Sequence, residues 1–96
     1  MSDTGTSQPA HDPRQEELVA RMIAAVRVGY VESDFVDGDV VIDQVNAFFV
    51  SAFGDLTRKE RGERLEAALD TAKGSIDDKQ HYVLGFYCRA GLRNHI

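Results

Sequence analysis

The side chains of this 96-residue chain that could do chemistry are three histidines, one cysteine and a run of acidic residues. His11, His81 and His95 form no His-x-x-x-His pair, and none completes a Glu-x-x-His motif, so zinc and di-iron carboxylate centres lack their ligand sets. The stretch Asp34-Phe35-Val36-Asp37-Gly38-Asp39, with Asp43 beyond it, has the composition of a calcium loop. Such a loop needs alternating oxygen ligands before its central glycine and a bidentate Glu at its end. With Gly38 at the centre, Phe35 and Gln44 fall where two ligands belong, and the segment reads as a solvated, helix-capping loop. Cys88 is a lone thiol on an apolar stretch, unable to form an intrachain disulfide or a cysteine zinc site, and it implies a reducing compartment. Ser51 and Ser75 have no nucleophile elbow, the glycines make no phosphate loop, and Asp77-Asp78 sit where a helix begins, favouring its dipole. The expectation is a protein that is not an enzyme and holds no metal or cofactor.

His81 is the remaining candidate. Small helical proteins that relay phosphate present a histidine on a helix, usually as His-x-x-Lys-Gly, and this chain reads His81-Tyr82-Val83-Leu84-Gly85. The glycine would allow close approach of a partner. Leu84 replaces the lysine that would offset the phosphate charge, which weakens His81 as a phosphoacceptor. The plainer reading is a polar surface histidine with Gly85 serving helix packing.

The elements that must position these residues read as helices throughout. Residues 1–11 are polar, with almost nothing to bury, and are expected to form a disordered tail ahead of a single helical domain over 12–96. Asp12 is an N-cap with Pro13 at the first helical position and Gln15 placed to close a capping box. Leu18, Met22 and Val26 then repeat at four-residue intervals to about Val31, leaving Arg14, Arg21 and Arg27 to face water. A second helix over about Val40–Phe53 carries Val41, Val45, Phe48, Phe49 and Ala52 on one broad face. Gly54 is placed for a left-handed cap. Val40-Val41-Ile42 has strand propensity but no second strand to pair with. Thr57 and Glu60 form a capping box that opens a third helix, with a narrow stripe of Leu65, Ala68, Leu69 and Ala72, a Glu60–Arg64 pair and Gly74 ending it. Ser75 is expected to cap a fourth helix, apolar nearly all round, with Val83, Phe86, Tyr87 and Ala90 on one face and Tyr82, Leu84, Cys88 and Leu92 on others. The predicted fold is all-α, a compact four-helix bundle with a disordered N-terminal tail.

So short a domain buries only roughly 60–65% of its unfolded surface, and without disulfides or metals the usual remedy is a second chain. The apolar surplus of the second and fourth helices therefore predicts a homodimer, or a partner protein, with Phe49, Phe53, Tyr82, Phe86 and Tyr87 as candidate contacts. A net charge of −5 argues against nucleic acid and anionic bilayers as partners. No apolar run approaches the roughly 18–20 residues of a membrane span, and the first residues lack the regions of a secretion signal, which predicts a cytoplasmic protein. Arg89, Arg93 and His95 at the chain's end complement a helix dipole.

The run YVESDFVDGDVVIDQVNAFFVSAFGDLT over 30–57, the polar helix after it and the apolar segment over 76–94 resemble the C-terminal domain of the clock protein KaiA and the N-terminal domain of the RsbU phosphatase. The likeness rests on an aromatic ending the first helix, an Ala-Phe pair before an Asp and a hydroxyl cap, and an apolar last helix. It implies a helical domain that dimerises and acts by binding another protein, a regulatory adaptor. The 96 residues themselves hold no receiver or phosphatase domain, the third helix has a different surface, and no functional residue is carried over. The alternative expectation is a bundle that binds a small molecule or cofactor, with Gly85 and Gly91 letting helices approach and aromatics lining a pocket.

Overall fold

A computed structural model describes residues 12–31, 35–36 and 38–93. The tail expected over 1–11, with His11, and the residues Asp34, Asp37 and His95 lie outside the described residues. Helix α1 spans Pro13–Gly29, and the chain then runs extended through β1 (Tyr30–Val31) and β2 (Phe35–Val36). These two dipeptides face each other antiparallel, Tyr30 opposite Val36 and Val31 opposite Phe35. Helix 1 therefore stops at Gly29, short of the Val31 expected. A second rod is continuous helical backbone over 38–52, built from α2 (Gly38–Val41), a π turn (Ile42–Asn46) and α3 (Ala47–Ala52). Helix α4 is Arg58–Ala72, a 3-10 turn covers Lys73–Ser75, and α5 is Asp78–Leu92. The described fold is all-α, four helical rods, and no helix in it is long and apolar enough to cross a membrane.

The core follows four-residue spacing in each rod. Leu18, Met22 and Val26 from α1 meet Val41, Val45, Phe49 and Phe53 from the second rod; Leu65, Leu69 and Ala72 from α4 and Leu84, Cys88 and Leu92 from α5 complete it, all buried. A strict i+4 repeat overshoots an α-helix by about 40° per step. The wider π turn between Val41 and Phe49 lets four such positions stay on one side of the rod.

Caps fix the rod ends. Thr57 Oγ1 accepts from Glu60 N at 3.1 Å while Glu60 Oε1 accepts from Thr57 N at 2.9 Å, the box read in the sequence. The start of α5 differs from expectation: Asp77, not Ser75, is the cap, bonded to Gln80 N at 2.7 Å, because the 3-10 turn takes up Ser75. Gly54 adopts no left-handed conformation. The rod closes instead with Phe53 at φ −111°, its N–H donating to Phe49 O at 3.0 Å.

At the other end Asp12 caps α1, accepting from Arg14 N at 2.9 Å, but Gln15 closes no box and donates instead to Arg64 O at 2.8 Å. Arg14 does not simply face water. It reaches Asp12 Oδ2 (3.1 Å), Ala52 O (3.1 Å) and Asp55 Oδ1 (2.9 Å) and lies 5.0 Å from the Phe53 ring centroid. Arg64 bonds directly to Asp12 at 2.8 Å and acts on Glu60, four residues before it, through its charge. This clasp ties three rods together, and the guanidiniums of Arg14 and then Arg64 hold the Asp12 carboxyl well below the usual carboxylate range.

Candidate functional site

Helix α5 turns Leu84, Gly85, Cys88 and Leu92 inward, which leaves its opposite side to solvent. On that side Tyr82 is 74% exposed and Phe86 58% exposed, one turn apart, an arrangement water penalises unless something covers it. With His81, Arg89, Ala90 and Arg93 they line a groove of about 610 Å³. Tyr87 stands at its edge, half-buried, edge-on to Phe86 with ring centroids 5.4 Å apart, and its ring closes over Gly38, where a Cβ would stand 2.6 Å from Cε1.

Of the five aromatics expected to make contacts, the structure divides them. Phe49 and Phe53 are fully buried, their rings 5.2 Å apart, and offer no surface. They belong to the core because the i+4 row Val41, Val45, Phe49, Phe53 points inward. Tyr82 and Phe86 are open, and Tyr87 is between the two groups.

His81 Nε2 lies 3.0 Å from Leu69 O. A carbonyl only accepts, so Nε2 is the donor in this contact. Any phosphoryl transfer to Nε2 would first break this bond to α4. The Gly85 position is filled from its own helix: a Cβ there would be 2.9 Å from Arg89 Nη1. The absent side chain lets the Arg89 guanidinium fold back to Glu66, which it binds through two contacts of 2.7 and 2.8 Å, so Arg89 is spoken for while Arg93 stays exposed. Cys88 is enclosed and burial pushes its thiol up to about 12, which makes it a packing residue and a poor nucleophile. Among the described residues no three acidic, histidine or cysteine side chains gather to hold a metal ion.

The outer side of the second rod, also expected to make contacts, presents residues other than the Phe49 and Phe53 named for it. Ile42 (45% exposed) and Val50 (38%) flank Asn46, which is buried at 5% exposure with both amide atoms unbonded. These residues, with Asp43, Ala47 and Gly91, line a groove of about 390 Å³ between the second rod and the end of α5. The amide lies against Gly91, where a Cβ would overlap it. An unbonded buried amide costs about 1–3 kcal/mol. The available signal was an amide between Ile42 and Val50 in the most apolar segment of the chain.

Comparison of the chain with family models, with curated proteins and with solved structures finds no match.

Proposed function

We propose that this chain is a small, non-enzymatic regulatory or adaptor protein, a four-helix bundle that self-associates and binds another protein through the outer side of α5. The observation that carries the reading is the pair Tyr82 and Phe86, two large aromatics standing in solvent on a rigid helix whose other side is locked in the core. Aromatic anchors of this kind, beside an arginine, are the side chains from which interface hot spots are built. The resemblance of residues 30–57 and 76–94 to dimerising, partner-binding domains points the same way, and a cytoplasmic setting suits the lone reduced cysteine.

The test is affinity purification from the source cells with the native chain and with Tyr82→Ala/Phe86→Ala, the two matched for melting temperature. A protein retained by the native chain and lost by the variant supports the reading. Equal retention by both, or no protein retained by either, contradicts it.

The groove's volume, about 610 Å³, also falls within the range of small-molecule sites, which favours a ligand-binding bundle as the second reading. Native mass spectrometry separates the two: a bound organic molecule released by Tyr82→Ala/Phe86→Ala would replace the adaptor. Phosphotransfer through His81 is the third, and it fails if incubation with a phosphodonor adds no phosphate to the intact mass.

A further inference from the structure

The stripe Ile42–Asn46–Val50 has a symmetry of its own: an amide with an exposed aliphatic residue one turn to either side. An unbonded carboxamide offers donors and an acceptor together, and the group that answers both at once is another carboxamide, turned about a two-fold axis. The small, exposed side chain of Ala47 beside it leaves room for a second helix to come close. We infer that this face is the seam between two copies of the chain, packed antiparallel about a dyad at Asn46, with Ile42 of each copy against Val50 of the other and the two amides paired. The inference rests on the reading of the chain as a self-associating adaptor and assigns the seam to one face, leaving Tyr82 and Phe86 free for a different protein.

Three features argue for this occupant and this direction. A buried polar residue inside an apolar seam is a known means of fixing register between helices, which explains why an unbonded amide is kept at Asn46. The amide is covered and lies against Gly91 in the single chain, so the proposed pairing includes its turning from Gly91 toward its counterpart. Asp39 and Asp43 lie only on the N-terminal half of the rod, so a parallel pair would set them against their own copies, whereas the antiparallel pair separates them and also opposes the helix dipoles favourably. The π turn places these residues at the seam, and such turns concentrate at functional positions.

The pairing of position 42 with position 50 of the other copy gives a specific test. Ile42→Glu and Val50→Arg are made separately; both sites are exposed in the single chain, so each variant keeps its helical circular dichroism. Each alone buries an unpaired charge twice per dimer, and self-association weakens by at least about tenfold. Mixed in equal amounts, the two variants form a one-to-one heterodimer by native mass spectrometry, since the introduced carboxylate then meets the introduced guanidinium once and Ile42 meets Val50 once. Should a charged variant unfold, disulfide cross-linking between Ile42→Cys and Val50→Cys chains replaces it; buried Cys88 takes no part, and the mixture must cross-link well above either variant alone. If both single variants remain as dimeric as the native chain while Tyr82→Ala/Phe86→Ala dissociates, the seam lies on α5 and the inference fails, with the self-associating reading intact. A native chain that stays monomeric at every concentration overturns both.

Discussion

Asp12→Ala removes an acidic side chain that joins the start of α1 to α4, and its cost follows from what Asp12 touches. It caps the helix through Arg14 N, worth about 1 kcal/mol. It also accepts from Arg14 and Arg64, and with its side chain only 16% exposed and that of Arg64 24%, this partly screened pair adds about 1 kcal/mol. The total of about 2 kcal/mol lowers the melting temperature of a domain this size by about 8–16 °C. The pH dependence has a definite sign. Because the folded carboxyl titrates below its unfolded value near 4, its contribution is complete above that pH and is lost progressively as pH falls below it. Urea unfolding followed by circular dichroism at pH 7 and at pH 2.5 should show the native chain ahead of the variant at pH 7 and the gap narrowing in acid. A gap under about 0.5 kcal/mol at pH 7, or one that is unchanged in acid, refutes the clasp as described.

Thr57→Ala, which removes the Oγ1 acceptor of the α4 capping box and leaves only the bond from the backbone N–H of position 57 to Glu60, should cost about 1 kcal/mol in the same assay, with Thr57→Ser restoring most of it. Leu84→Ala, at a fully buried position, should cost about 2–5 kcal/mol, whereas Tyr82→Ala two residues away should change stability by less than about 0.5 kcal/mol. Cys88 should resist a thiol reagent in the folded protein and react at once in denaturant; rapid labelling of the native chain would contradict its burial.

The parts of the fold that were legible in the sequence are those fixed by local chemistry. The Thr57–Glu60 box and the stripe Leu65, Ala68, Leu69, Ala72 determine α4 without help from the rest of the chain, and the structure holds both. Boundaries with two competing caps were not legible: Ser75 and Asp77 can each start a helix, and only the 3-10 turn over Lys73–Ser75 decides between them. Nor could α5, apolar nearly all round, reveal which side it would bury. Gly85 and Leu84 go inward with Cys88, and this long-range choice is what separates exposed Tyr82 and Phe86 from buried Phe49 and Phe53. The π turn left no local trace, since it answers the need to keep Val41, Val45, Phe49 and Phe53 aligned, and the groove at Asn46 depends on it. The bond of Arg64 to Asp12 was not legible for the same reason. Arg64 satisfies the i,i+4 rule with Glu60, yet it is drawn to Asp12, more than fifty residues away, by an approach only the folded chain provides.

Light scattering of the native chain over a wide concentration range tests the central claim most directly. Self-association predicts a mass that rises from 10.6 kDa toward twice that value and levels there. A mass fixed at that of one chain up to the highest concentration reached would contradict it and leave the exposed faces of α5 and the second rod to other molecules.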